Sequence, residues 1–366
     1  MSGIFNQKVL IFGGVILVGF IVVMVVIGII ASRGPLPFDR ILVQMENAAR
    51  NYYQENLDEI GLAEGGSLVL STTRLEEDYM RPLHTMVEEG VSCHGEVRVY
   101  RLADEVGFFP YLDCGETFKT EPLVEVIIKN EEIVDKGAGL YQMNDEYVYR
   151  GELVDNYLSF AGKTWRILSI NDSNQLRIID MEYRWRVNWD NRLNTETWRH
   201  DGVNNFLDFE TQHSNMKHYL DRVLKQENYL SSSDLQKLVY VDLCIGKRKT
   251  DETDMSGKVE CAKTAENSVA GLLAVYEFLR ISLEEECKDT GSVACENYNF
   301  LAAEGSSTWT ITAIADTSER VYYITPSRIG GSVASRQRPI RPVFTLNENI
   351  LFVGGTGTEE DPYVVE

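Results

Sequence analysis

The sequence carries none of the compact signatures by which catalytic chemistry is usually recognised. It has no H-E-x-x-H, no G-x-S-x-G and no phosphate loop, and Gly246-Lys247 lacks the preceding glycine of a Walker motif. Histidine is scarce, at 5 residues; His213 and His218 lie about 140° apart around a helix and cannot share one metal. The acidic runs Glu284–Glu286 and Glu359–Asp361 lack the spaced D-x-D-x-D-G pattern of a calcium loop and read as solvated faces. None of the 6 cysteines forms a C-x-x-C, and no histidine stands at zinc-ligand spacing beside them. Basic residues are outnumbered 35 to 56, for a net charge of −21, which argues against nucleic acid or an anionic lipid surface as the main partner. No internal repeat or low-complexity linker interrupts the chain. These absences lead us to expect no cofactor, no metal and no enzyme.

What the sequence does have begins with the uncharged apolar run Val9–Ala31, VLIFGGVILVGFIVVMVVIGIIA. At ~1.5 Å rise per residue it is long enough for a ~30 Å hydrocarbon core, where only a helix satisfies its own backbone. It exceeds the ~7–15-residue apolar core of a signal peptide, and the following ASRGP is a poor cleavage site. The run therefore predicts a transmembrane helix with the lipid bilayer as its partner. Lys8 before it and Arg33 and Arg40 after it do not orient it. Cysteine usage does: Cys93, Cys114, Cys244, Cys261, Cys287 and Cys295 all follow the run and suit disulfides in an oxidising space. The expected location is the cell membrane, single-pass, with residues 1–8 cytoplasmic and the remainder extracellular.

One disulfide has a local argument. Glu96–Leu102 (EVRVYRL) and Gly107–Leu112 (GFFPYL) read as strands of a hairpin centred on Ala103–Asp104. The centre falls midway between Cys93 and Cys114, so antiparallel pairing brings those residues opposite each other. Near-neighbour pairing gives Cys244–Cys261 and Cys287–Cys295 for the other four, with the remaining connectivities open.

The expected fold class is α+β in two domains beyond the transmembrane helix at 9–31. The smaller, 36–145, starts with Pro35 and Pro37 and a helix from about Asp39, with Ile41, Leu42, Met45, Ala48, Ala49, Tyr52 and Tyr53 on one face. Ser67–Ser71, the hairpin and Val124–Ile128 supply strands, and a short helix lies near Leu75–Met80. The larger, 146–366, opens with a meander, Asn156–Phe160, Thr164–Ile170 and Gln175–Asp180, separated by the turn formers AGK and NDSN. A helix follows with Ser214 as N-cap and Met216, Tyr219, Leu220, Val223 and Leu224 buried. Further on come a short helix at Ser233–Val239, a strand at Val269–Ala274 and a helix at Tyr276–Ser282. Strands at Thr308–Ala313, Val321–Ile324, Arg341–Leu346 and Ile350–Val353 follow, with Tyr363–Val365 as a closing edge.

Two constellations stand out. Ser214-Asn-Met-Lys217 matches S-x-x-K, in which a lysine one helical turn away activates a serine nucleophile. Its companion motifs are poor: Lys263-Thr264-Ala265 only approximates K-T-G, and the helix-cap reading explains Ser214 more simply. The segment Tyr183–Trp198 concentrates tryptophan with arginine and asparagine, and aromatic faces beside polar groups suit a sugar-stacking or peptide-binding surface. Trp185, Trp189, Asp190 and Trp198 are its ligand-binding candidates.

From Asn156 to Leu346 the order FAGKTWRILSIN, SNMKHYLD, VAGLLAVYEFLRIS, WTIT and RPVFTL resembles an uncharacterised domain of Gram-positive bacterial surface proteins. That domain is similar to the C-type-lectin-like architecture of the formylglycine-generating-enzyme group, and GGTGTEEDPYVV is a common ending after it. The resemblance implies a lectin-like α+β domain and carries no catalytic residue onto this chain. Trp189-Asp190-Asn191 differs in order from the W-N-D of calcium-dependent lectins. The first part, an apolar helix running into an amphipathic one and then a C-x-G-x-V-x-V hairpin ending Y-L-x-C, is similar to pilin-like proteins, although Val9–Ala31 has no glutamate. The resemblances imply a membrane-anchored extracellular binding or adhesion module whose ligand is a glycan, a cell-wall component or a protein. The rivals are a self-associating pilin-like subunit and a cell-wall acyl enzyme using Ser214 and Lys217.

Overall fold

The computed structural model describes residues 34–102, 105–207, 213–223, 229–283, 299–301, 307–325 and 328–365. Contacts divide the chain into two compact units. The first takes the chain up to Gly61 with Leu68–Val99 and Phe108–Thr120; the second takes Leu62–Ser67, Tyr100–Gly107 and Glu121–Glu366. The second unit thus starts well ahead of the boundary at 145 expected from the sequence.

In the first unit the long helix α1 (Phe38–Glu55) begins after Pro37, whose ring fixes a backbone angle compatible with entry into a helix. Ile41, Met45, Ala48, Ala49 and Tyr53 recur every three or four residues and are buried, as the amphipathic pattern predicts. Strands β1 (Ser67–Ser71), β2 (His94–Leu102) and β3 (Glu105–Asp113) form a sheet in the order β1-β2-β3. Gly95 permits a close approach of α1 to the sheet: a Cβ there would lie 2.8 Å from Met45 Cε, and 2.6 Å from the Tyr111 carbonyl of the neighbouring strand. Cys93, just before β2, is joined to Cys114, just after β3, as the hairpin register implied.

The long stretch of the second unit from Glu121 onwards opens with helix α2 (Leu123–Asn130). The sequence reads this stretch as a strand because apolar residues, four of them β-branched within Val124–Ile128, run nearly unbroken. Burial instead selects Leu123, Val124, Val126 and Ile127, and Glu125 and Lys129 fall on the open side at helical spacing. Then follow β4 (Gly139–Met143), β5 (Glu146–Arg150), β6 (Tyr157–Phe160), β7 (Lys163–Ile170), β8 (Leu176–Asp180), β9 (Arg184–Asn188), helix α3 (Asn215–Val223), β10 (Val241–Cys244), β11 (Thr264–Ser268) and helix α4 (Val275–Arg280). The chain ends with β12 (Thr308–Ala313), β13 (Arg320–Thr325), β14 (Arg328–Val333), β15 (Gln337–Ile340), β16 (Val343–Leu346), β17 (Phe352–Gly354) and β18 (Tyr363–Val365).

The main sheet has eight strands in the order β16-β8-β7-β6-β18-β17; β5 also pairs with β7, and β4 with β5. The meander β6–β7–β8 forms as its turn signals predict. Tyr363–Val365 is not an edge: β18 lies between β17 and β6 and runs parallel to β6, Tyr363 opposite Leu158. Smaller sheets comprise β12–β14, β9 with β15, and β10 with β11. Trp165, Trp189 and Trp309 are among the largest fully buried side chains of this unit.

Two expectations are corrected. Strand outweighs helix, 35% to 20%, so the described fold is mostly β; this is loosely compatible with the expected α+β class but not with the transmembrane helix that went with it. Among the described residues no helix is long and apolar enough to cross a membrane. The longest, α1, carries Asp39, Arg40, Glu46, Arg50 and Glu55, charges costly to bury in hydrocarbon. The single-pass location at the cell membrane is therefore withdrawn, and Val9–Ala31 itself lies outside the described residues.

Candidate functional site

On one face of the main sheet the strand registers align a row across four strands: Val148 opposite Ser169, Ser169 opposite Arg177, and Arg177 opposite Thr345. Directly opposed residues on paired strands share a face, so this row puts three polar side chains side by side. The alignment depends on a β-bulge. Between Ile167 and Ser169 the β7 strand takes two steps while β8 takes one, from Ile178 to Arg177, leaving Leu168 unpaired. Without that extra residue the side chains beyond it would turn to the opposite face.

The row floors a cavity of about 200 Å³, with walls from α4 and β10. That is below the ~300–1,000 Å³ of sites for drug-sized ligands and suits a molecule about the size of one sugar ring. Its lining is mixed: Val148, Leu168, Leu272 and Ile311 are apolar, and Arg177, Glu277, Arg280, Glu146 and Asp242 are charged. Four of these charges are engaged in two pairs. Arg177 forms a close ion pair with Glu277, and Arg280 meets Glu146 at 2.6 Å. Burial opposes the charge on Arg177, but Glu277 outweighs it and the guanidinium pKa lies above its ordinary value. Glu277 is fixed from the other side too, its Oε2 accepting the Ala274 N–H at 2.7 Å where α4 begins.

One group in the cavity is not engaged. Thr345, 2% exposed, has a hydroxyl with no hydrogen-bond partner. Its isostere valine would suit a buried strand, and an unpaired buried hydroxyl costs about 1–3 kcal/mol. The hydroxyl is itself buried, an unsatisfied polar atom in the wall of a cavity with polar lining.

The disulfide Cys244–Cys261 stands at the same place, because Cys244 is in the cavity wall. Its partner neighbours Glu260, whose carboxylate accepts the Tyr276 N–H at 3.2 Å, and Tyr276 also lines the cavity. Replacing both cysteines by serine should cost about 2–4 kcal/mol, the usual value of such a crosslink. Denaturant titration of the double variant checks this, and a variant as stable as the parent would contradict it.

The residues singled out from sequence do not converge. Trp189 is fully buried, its indole N–H donating to the Thr310 carbonyl at 3.1 Å and its ring beside Phe206. Asp190 is also buried; it binds Arg192 Nε at 2.9 Å and accepts the N–H of Val203 at 3.0 Å. Trp185 is half-buried against Tyr219 and Tyr229. Trp198 alone is displayed, 77% exposed and at φ 55°. Ser214 is buried as a helix cap: its hydroxyl donates to the Phe206 carbonyl at 3.2 Å and accepts the Lys217 N–H at 3.1 Å. Lys217 turns its ammonium to Asp221. Among the described residues no group of three metal-ligating side chains comes together. Cys287 and Cys295 lie outside the described residues.

Arg177, Glu277, Ser169 and Thr345 were not apparent as site residues. The available signal was a polar residue within a buried strand: Arg177 in LRIID and Thr345 in VFTL. Comparison with protein-family models, curated proteins and solved structures finds no match to this chain.

Proposed function

We propose that the protein is a disulfide-stabilised binding module that takes a small, neutral, hydroxyl-rich ligand, such as a sugar ring, in the cavity of its second unit. The unpartnered Thr345 hydroxyl carries this reading. Neutrality follows from the ion pairs. A charged ligand would have to displace Glu277 from Arg177 or Glu146 from Arg280. A hydroxyl donates and accepts at once, so it can bridge the two ends of such a pair without breaking it. Apolar walls suit the C–H faces of a ring. Two of the three carboxylates lining the cavity, Glu277 and Glu146, are held by arginines, and the third, Asp242, accepts the Asn267 N–H at 3.2 Å, an arrangement for orientation more than for proton transfer. Both disulfides fit an oxidising compartment.

The test is titration of neutral monosaccharides, N-acetylated hexosamines and, as contrast, free amino acids, followed by backbone amide NMR. At least one neutral sugar should shift Ser169, Arg177 and Thr345 saturably, and Thr345→Val should weaken it about tenfold, the value of one good hydrogen bond. Shifts confined to amino acids, or sugar binding indifferent to Thr345→Val, would overturn the reading.

A further inference from the structure

A second lined hollow of the second unit has a different chemistry. It is a groove of about 300 Å³ between β9 and α3, formed by Arg186, Val187, Asn188, Asn215, His218, Tyr219 and Arg222. Asn215, His218, Tyr219 and Arg222 stand at i, i+3, i+4 and i+7, one stripe of α3, while Met216, Leu220 and Val223 face the core. Among the described residues no carboxylate lines the groove, although acidic residues outnumber basic ones 56 to 35.

The arginines there differ from others of the same unit. Arg177, Arg184, Arg192, Arg248 and Arg280 each hold a carboxylate. Arg186 and Arg222 are exposed, and among the described residues neither has a carboxylate partner; Arg186 reaches only the Gln337 carbonyl at 3.5 Å. Nearby acids are committed elsewhere, Asp221 to Lys217 and Glu182 to Arg184. The groove runs the length of α3, from Asn215 in its first turn to Arg222 in its last.

We propose that this groove binds a tetrahedral oxyanion, a phosphate or sulfate group, between Arg186 and Arg222. Guanidinium donors reach it from the strand on one side and from the helix on the other, and His218 with the Asn215 amide supplies further N–H donors, the Asn188 amide being held by the Ser335 carbonyl. A planar carboxylate, with two oxygens, is matched by one arginine, whereas a group with more oxygens occupies donors on both sides. This site is independent of the cavity on the main sheet.

Inorganic phosphate and sulfate, titrated separately into the full chain at low salt, test the proposal through the NMR signals of His218 and the arginine Nε–H groups. Saturable shifts of His218 and Arg222 with either anion, weakening as sodium chloride is added, are expected. Arg186→Gln and Arg222→Gln should each weaken binding about tenfold, and the double variant should abolish it. Lys217→Gln removes the same unit of charge one turn away and should leave binding within about twofold, because that ammonium is held by Asp221. Absence of saturation with both anions overturns the proposal. So does equal weakening in Lys217→Gln, which would show attraction to charge without a site. These side chains are exposed, so circular dichroism should confirm that every variant is folded.

Discussion

Arg248→Met is expected to remove about 3–5 kcal/mol of folding stability, the cost of leaving one member of a buried ion pair alone. Arg248 and Glu260 are both 0% exposed and meet through two contacts, at 3.0 and 3.1 Å. Arg248 Nη2 also donates to the carbonyls of Glu252 and Asp254, at 3.0 and 2.6 Å, tying down the loop that precedes Glu260. Without Arg248 the Glu260 carboxylate would stay dry with no counter-ion. Burial already pushes that carboxyl above its ordinary pKa while Arg248 pulls it back, so the substitution releases the upward shift. The sign follows. A carboxyl whose folded pKa exceeds its unfolded pKa binds more protons when folded, so the stability of Arg248→Met should rise as pH falls from neutrality towards the ordinary carboxylate range. The benefit is fully present below the unfolded pKa and lost as pH rises through the folded one. Denaturant titrations at several pH values check both parts. The double variant Arg248→Met, Glu260→Leu should recover most of the loss, since a well-packed apolar pair often equals a buried ion pair. A parent-like single variant would show that the pair contributes nothing.

Trp189→Ala should cost a similar amount, about 3–5 kcal/mol, by opening a cavity where a tryptophan was fully packed. It also strands the Thr310 carbonyl that now accepts the indole N–H. Trp198→Ala, by contrast, should change stability by no more than about 0.5 kcal/mol, because that ring is 77% exposed. Thermal or chemical unfolding separates the two. Equal effects would mean that the segment around them packs differently from the description above.

This pair also shows where the sequence was legible and where it was not. The meander β6–β8 could be read because AGK and NDSN mark its turns, and the α1 stripe because its apolar residues keep helical spacing. The cap at Ser214 and the hairpin disulfide were equally local. Trp189 and Asp190 stand among the binding candidates because aromatic, charged and amide residues together look like a binding surface, and the fold buries both. Only the fold reveals that Thr310, Arg192 and Val203 supply their partners from far along the chain or across a tight turn. The cavity was out of reach for the same reason. Its floor is assembled from β5, β7, β8 and β16, and its alignment turns on one unpaired residue, Leu168. Non-local register leaves no periodic trace in any one segment.

The central claim is that Thr345 keeps an unpaired hydroxyl in the core for the sake of a ligand. Denaturant unfolding of Thr345→Val, with no ligand added, tests it most directly. The valine variant should be more stable than the parent by about 1 kcal/mol, because an unsatisfied buried group is removed at nearly constant shape. It should also lose the stabilisation that a bound sugar gives the parent. A Thr345→Val protein less stable than the parent, with sugar binding intact, would contradict the account.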